Sequence, residues 1–335
     1  MSNTVAVIIL NYNTAGLLKT LLPFVVDSTY QELRIIVADN GSTDESETVV
    51  KSIDKVEWMP LGDNYGYAEG YNRAIAKVSE KFVVLLNSDV EVEKGWLEPL
   101  INYALEHNYA ALQPKILDYN NRNKFEYAGA AGGFMDKLGY PFCRGRIFDF
   151  CEEDKGQYNE PSDVFWASGA ALFVEREIFI EAGGLDKRLF AHMEEIDLCW
   201  RIQLLGKKIA CVPESVVYHI GGGTLSAQNP KKTYLNFRNS LVLLARYNVG
   251  LKAFVKVLLR MILDAPAALL FASRGNFADV WAIIRAHWHF FFRLRYWLRN
   301  DQKGLANKKI ATQFKGLVFW QFFIKKSRKY SDIEF

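Results

Sequence analysis

Three times before residue 90 an apolar run stops on a short polar turn, and after the first two a helical pattern follows. Val5 to Leu10 ends at Asn11-Tyr12-Asn13, ahead of a pattern through Leu17, Leu18, Leu21 and Leu22. Leu33 to Ala38 ends at Asp39-Asn40-Gly41-Ser42-Thr43-Asp44, where a helix starts, and Phe82 to Leu86 ends at Asn87-Ser88-Asp89. Between them lie a short strand, Val56 to Met59, and a helix from Gly66 to Val78. Strands that are apolar along their whole length have both faces covered. Alternation with helices therefore predicts an α/β fold with a mostly parallel central sheet. In such sheets ligands bind beyond the carboxyl ends of the strands, and Tyr12, Asp39 and Asp89 all fall there.

From Asp118 to Asp163 glycines interrupt aromatic and charged residues, which reads as a long loop-rich insertion. Order returns from Val164 to Val174, followed by a helix over Arg176 to Ala182 that Gly183-Gly184 stops. Ile196 to Leu205 reads as a helix, and Lys208 to Val212 as a strand leading through Pro213 to Val216-Val217-Tyr218-His219. Beyond residue 240 apolar, aromatic and basic residues mix without strand breaks. Two regions are expected, 1–240 and a helical, basic 241–335. Residues 251 to 335 carry 16 Lys and Arg against 5 Asp and Glu, a balance of +11, while the first 250 carry 25 against 33, a balance of −8. Such asymmetry means that the two parts meet different partners.

In the second region Trp281, Trp288, Phe290, Phe291, Phe292, Tyr296 and Trp297 alternate with Arg285, Arg293, Arg295 and Arg299. The mixture suits helices in the interface of an anionic membrane. The alternative is a helical subdomain with an aromatic core of its own. Met261 to Ala272 contains Asp264 and Pro266 and falls short of the roughly 20 apolar residues of a spanning helix. The apolar start has no basic leader or cleavage site and reads as a first strand. Cys143, Cys151, Cys199 and Cys211 have no CxxC or zinc spacing and are expected to be reduced thiols.

Several side chains in this frame carry chemistry. A carboxylate just past a buried strand, Asp89, is placed to hold a divalent ion against phosphates. Its alternative is a turn or cap. Asp39 has the acceptors for a nucleobase imide and Tyr12 the ring to cover it, although Asp-Asn-Gly-Ser is also an ordinary turn. The glycines of Leu61 to Ala68 permit close approach to a nucleotide, with Asn64 and Arg73 adding polar contacts. Glu194-Glu195 stands at a helix start with Asp197 in the first turn. Adjacent carboxylates repel, so one gains the raised pKa of a general base, although first-turn acids are also favoured by the helix dipole. His219 follows a strand, Gly221-Gly222-Gly223-Thr224 reads as a closing loop, and Arg238 suits a diphosphate.

These segments, in this order, resemble the inverting glycosyltransferases of family 2, with the GT-A fold, and within them the bacterial rhamnosyltransferase-like members. The matching pieces are Val7 to Asn13, Ile36 to Ser42, Asn64 to Ala68, Leu85 to Asp89, Ser168-Gly169-Ala170, Gly183 to Asp186, Glu194 to Arg201 and His219. The resemblance implies transfer of a sugar, with inversion, from a UDP- or dTDP-sugar to a hydroxyl of a glycan acceptor. It makes Asp89 the metal-binding acid of a DXD-type motif, here Asn-Ser-Asp, with Mg²⁺ or Mn²⁺ and His219 completing the metal or diphosphate site. It puts the catalytic base in the Glu194-Glu195 pair. That motif usually reads Glu-Asp, so Glu195 is one methylene longer. Tyr12, Asp39, Asn64, Arg73, Asn87, Gly169 and Arg238 form the expected donor-binding set.

Joined to the basic C-terminal region, the resemblance implies a polyprenyl-diphosphate-linked acceptor. It also implies a cytoplasmic protein peripheral at the inner face of the plasma membrane, with an anionic membrane surface and no nucleic acid as partner. A nucleotidyltransferase would carry a Gly-rich, Arg-containing loop after the first strand, and a dinucleotide oxidoreductase GxGxxG; Asn11-Tyr12-Asn13-Thr14-Ala15-Gly16 is neither. A non-catalytic sugar-nucleotide-binding protein is the remaining alternative.

Overall fold

The computed structural model describes residues 3–221, 229–298 and 309–335. Strand β1 (Val5–Asn11) is followed by helix α1 (Ala15–Val26), β2 (Leu33–Asp39), α2 (Ser46–Lys51), β3 (Val56–Pro60), α3 (Gly66–Ile75) and β4 (Phe82–Asn87). The four strands lie parallel in the order β4-β1-β2-β3, with Ile8 opposite both Ile36 and Leu85. Their continuous apolar runs serve two cores at once, because successive side chains point to opposite faces. Ala6 and Ile8 pack on one face with Ile36, Tyr71 and Leu85. Val5, Val7 and Ile9 pack on the other with Leu18, Leu22, Trp96 and Leu100.

The chain continues through β5 (Val90–Val92), α4 (Leu97–His107) and β6 (Ala111–Asp118). The insertion expected to be loop-rich forms a small antiparallel sheet of β7 (Gly133–Met135), β8 (Pro141–Cys143), β9 (Arg146–Ile147) and β10 (Phe150–Cys151). Its glycines allow close approach: a Cβ on Gly133 would meet the Trp166 ring at 2.0 Å. After β11 (Ser162–Asp163) comes β12 (Ala171–Glu175), which runs antiparallel between β4 and β6. Helices α5 (Arg176–Glu181) and α6 (Glu194–Leu204) precede β13 (Ile209–His219). β13 is one strand where two were expected. It pairs parallel with β6, and the register shifts between Val212 and Val216, so Pro213 is absorbed in an irregularity. β5 and β11 pair antiparallel with its other edge.

Helix α7 (Pro230–Arg246) starts with Asn229, whose side chain accepts from Lys231 N, and Pro230 in the first turn. It runs through residue 240 without a break, and Leu241 to Leu244 join the main core. Then come α8 (Gly250–Ser273), α9 (Phe277–Phe292) and α10 (Leu294–Trp297). Residues 309–335 return to the small sheet: Phe314 N donates to Met135 O at 2.9 Å and Val318 N to Asp136 Oδ2 at 3.0 Å. The aromatics of the second region divide by burial. Phe290, Trp297, Phe314 and Phe322 are buried, whereas Trp281, Trp288, Phe291, Phe292 and Tyr296 are exposed. Among the described residues no helix is long and apolar enough to cross a membrane. All four cysteines are free. Gly222 to Thr224 of the expected closing loop, and Arg299, lie outside the described residues.

Candidate active site

Sheet pairing brings two distant segments together at the carboxyl edge. β5 runs antiparallel to β13 with Val90 opposite His219, which sets the preceding Asp89 against the imidazole. His219 Nε2 lies 3.1 Å from Asp89 Oδ1, and Ile220 N donates to Asp89 O at 3.0 Å. On the far side of the ring, Nδ1 lies 3.3 Å from Glu126 Oε1. All three side chains are buried. Burial opposes charge on the imidazole, but its contacts with Asp89 and Glu126 outweigh it and lift the pKa to about 10. Glu126 was not foreseen. It sits in the insertion, where no local pattern marks one acid among several.

As it stands the Asp89–His219 contact is an ion pair, and holding Mg²⁺ or Mn²⁺ would require the His219 imidazolium to give up its Nε2 proton to free a ligating lone pair. A carboxylate and an imidazole converge, and Glu126 stands behind the ring as the outer partner that fixes its orientation. Among the described residues no group of three His, Cys, Asp or Glu side chains surrounds a common point. An ion here would draw its other ligands from phosphate oxygens and water, as Mg²⁺ commonly does.

The second acidic pair opens α6. The backbone ahead of it is strained: Phe190, His192 and Met193 have φ of 70°, 65° and 73°, left-handed values that side-chain-bearing residues rarely adopt. Asn239 of α7 holds this loop by donating from Nδ2 to Leu189 O (3.1 Å), Ala191 O (3.0 Å) and His192 O (2.6 Å). The result is a buried Glu194 beside a half-buried Glu195, each with one oxygen, Oε2, lacking a protein partner. Burial lifts Glu195 to about 7. Burial first, and the charge of Glu195 second, push Glu194 well above the ordinary carboxylate range. His192 Nε2 is also unpartnered, and burial lowers its pKa to about 4, so the ring is neutral.

Tyr67 links the two clusters. Its hydroxyl donates to Gly169 O at 2.7 Å, and its half-buried ring feels the charges of Glu194, Glu195 and Asp89. A Cβ on Gly169 would lie 2.6 Å from Tyr67 Oη and 3.6 Å from Glu195 Cβ, so glycine is required between them. Asn87 joins the same edge, where its N–H donates to Ala170 O at 3.0 Å. Tyr67 lies inside a motif quoted above, but nothing in its spacing distinguishes a site tyrosine from a core one.

The remaining expected residues separate. Asp39 is buried and accepts from Asn11 Nδ2 (3.0 Å) and Ser42 N (3.1 Å), building its own turn at the strand end, while Tyr12 stands exposed beside it. Asn64 Oδ1 accepts from Asn40 Nδ2 and Gly66 N, holding the loop ahead of α3. Arg73 pairs with Glu69 at 3.1 Å and lies over the Tyr65 ring. Arg238 is buried, donating to Leu189 O at 2.8 Å with its guanidinium 4.8 Å from the Trp297 ring centre. Asp197 is fully buried, pairing with Arg201 (2.8 Å) and Arg246 (2.7 Å) and accepting from Tyr247 Oη (2.8 Å). Burial alone would raise its pKa, yet the two guanidinium groups hold it below the ordinary value. These contacts fasten α6 to α7.

Known proteins share this sequence pattern and fold. Over 241 residues the chain is 30% identical to the N-acetylglucosaminyl-diphospho-decaprenol L-rhamnosyltransferase of Mycobacterium tuberculosis, covering 65% of this chain and 76% of that protein. It is 23% identical over 290 residues to a dTDP-rhamnosyl transferase of Shigella flexneri, covering 82% and 91%. The solved structure of GalNAc-T7 with UDP, GalNAc and Mn²⁺ shares the fold, with a TM-score of 0.53 and 21% identity over 64% of this chain. The chain spans 43% of that longer protein. Residues 6–179 match the model of Glycosyl transferase family 2, and the chain belongs to that family.

Proposed function

We propose that the protein transfers a sugar from a nucleotide-sugar donor to a hydroxyl of a lipid-linked glycan acceptor, with inversion. The observation that carries this reading is the pairing of a half-buried acid of pKa about 7, Glu195 at the start of α6, with a separate Asp89–His219 centre at the sheet edge. In this reading Glu195 takes the proton of the acceptor hydroxyl as its oxygen attacks the anomeric carbon and the bond to the diphosphate breaks. A base poised near neutral pH suits that step. Glu194, kept protonated by burial and by its neighbour, leaves Glu195 as the carboxylate that ionises. Asp89 and His219 would hold a divalent ion, which supplies charge neutralisation for the departing diphosphate. Tyr67 and Gly169 shape the space between the two centres.

The donor is a UDP- or dTDP-sugar. Asp39 and Tyr12 lie at the mouth where its base would enter, and the loop of Asn64 and Asn87 lines the approach. Asp197, Arg73 and Arg238 act as fasteners of the site. The polyprenyl-diphosphate acceptor is supported by the named substrate of the mycobacterial relative and by the exposed aromatic and basic C-terminal region. The same two observations support peripheral attachment at the inner face of the plasma membrane. Release of nucleoside diphosphate from a panel of sugar nucleotides, with Mg²⁺ or Mn²⁺, tests the reading and identifies the donor. No release above the level of a Glu195→Gln, Asp89→Asn double variant with any donor would leave only a sugar-nucleotide-binding role.

A further inference from the structure

Helix α8 is built the wrong way round for a helix on a surface in water. The side chains it buries include Arg260 and Asp264. Those it exposes include Leu251, Phe254, Leu258, Ile262 and Leu269, of which Leu251 is 77% and Leu269 70% exposed. On the inner side Arg260 Nε donates to Asp264 Oδ1 at 2.8 Å and Nη1 to Gly139 O at 2.9 Å, and His287 Nε2 of α9 lies 3.1 Å from Asp264 Oδ2. Helix α9 carries an outer stripe of its own. Phe277, Trp281, Ile284, Trp288 and Phe291 recur at helical spacing opposite the buried Ala282, Ala286 and Phe290. A helix that satisfies its ions inside and presents aliphatic side chains outside has an apolar medium beyond it.

We infer that the α8–α9 hairpin is a monotopic membrane element whose outer face lies among the acyl chains of a phospholipid bilayer, parallel to its plane. Charge selects this occupant over a second copy of the chain. Exposed Lys252, Arg274, Arg293 and Arg295 flank the apolar face, and Lys325-Lys326 follow the exposed Trp320, Phe323 and Ile324. In a two-fold dimer these like charges would be brought together, whereas lipid phosphates neutralise them. The orientation follows from sequence. The 24 residues of α8 would extend about 36 Å, but Arg260 and Asp264 lie near its middle, so the helix rests in the interface. Tryptophans at its edge suit the headgroup level.

The hairpin also reaches the active site. Ala282 and Ala286 of α9 pack with Tyr234 and Leu235 of α7, and Ala191 of the strained loop packs against the same cluster. The lipid surface would thus stand at a fixed height from Glu195, as an acceptor with a polyprenyl tail requires. This inference deepens the membrane part of the proposed function and does not depend on the transfer chemistry. It differs from adsorption by charge in its response to salt.

The test is flotation of the full-length protein with vesicles of phosphatidylcholine and phosphatidylglycerol, in low salt and in about 1 M salt, where the Debye length is about 3 Å. Binding should fall by less than about threefold in high salt, and acyl-brominated lipid should quench tryptophan fluorescence. The variant F254E/I262E, altered at two side chains exposed by 59% and 58%, should bind at least about tenfold more weakly. Nucleoside diphosphate release measured in the same samples reports separately on the transfer reading. Binding stripped by salt would overturn insertion in favour of electrostatic adsorption. A protein that stays in solution, and dimerises through a contact that F254E/I262E abolishes, would overturn the lipid assignment.

Discussion

Asn239 offers the sharpest test of how the base is held. Its side-chain amide has two N–H groups and serves three carbonyls, those of Leu189, Ala191 and His192. Replacing it with alanine removes its two N–H donors and the oxygen that accepts from Arg238 Nε, hydrogen bonds of about 1 kcal/mol each and roughly 3 kcal/mol together, while Leu189 O keeps Arg238 Nη2 as a donor. Opposing this, three left-handed residues hold about 1–2 kcal/mol each relative to right-handed backbone. The two sums are comparable, so without Asn239 the loop no longer has a reason to stay in the form that presents Glu195. A shift of about 3 kcal/mol away from the competent form lowers turnover by roughly 10²-fold. The assay is nucleoside diphosphate release at saturating donor, with donor affinity measured by calorimetry and stability by thermal melting. Turnover should fall about 10²-fold while donor affinity stays within about threefold. Asn239→Asp, which keeps the shape but points carboxylate oxygens at carbonyls, should be at least as damaging at pH 8. The reasoning fails if either variant lowers the melting temperature yet keeps turnover within about threefold of the parent.

Glu195→Gln should lose roughly 10²- to 10⁴-fold in turnover with donor binding nearly intact; near-parental turnover would move the role to Glu194. Because burial raises the Glu195 pKa to about 7 and the base must be ionised, turnover should rise with pH through about 7, and this acid limb should be missing from the residual rate of the Gln variant. Asp89→Asn should weaken intact sugar nucleotide in Mg²⁺ or Mn²⁺ far more than it weakens the free nucleoside, and calorimetry showing equal losses would make Asp89 part of the base pocket. Gly169→Ala puts a Cβ 2.6 Å from Tyr67 Oη and should cost about 1–3 kcal/mol in transition-state stabilisation, partly restored by Tyr67→Phe; no recovery in the double variant would show that the two do not share one space.

The first parallel block was legible because β1, β2 and β4 are apolar runs with a turn behind each, a signal that needs no distant partner. β6 was missed. Gln113 and Pro114 interrupt its pattern, and they are tolerated there because Gln113 Oε1 accepts from Ser168 N, 55 residues away. Asp89, His219 and the Glu194-Glu195 pair were singled out from strand ends and a helix start, and the sheet brings Asp89 and His219 into contact. Asp197 and Arg238 have the chemistry of site residues, yet their partners, Arg246 and the carbonyl of Leu189, are fixed only by tertiary packing. The left-handed backbone at Phe190, His192 and Met193 has no sequence sign at all, since none is glycine or asparagine. The inverted polarity of α8 was hidden for a related reason: composition counts apolar residues without saying which way they face.

The antiparallel strand β12 has a consequence for the order in which the molecule can be assembled. The parallel block β4-β1-β2-β3 is complete by residue 87, its strands joined by short crossings. The block of β6 and β13 is joined to it through β12, which pairs with β4 across nearly ninety residues, and β6 waits roughly another hundred for β13. Long-range pairings of this kind are slow, because chain entropy is lost before contacts are gained. During synthesis the half bearing Tyr12 and Asp39 can therefore form well before His219 has emerged to meet Asp89. A nascent chain arrested between those points would carry the proposed entrance for a nucleotide base before the proposed diphosphate centre is complete.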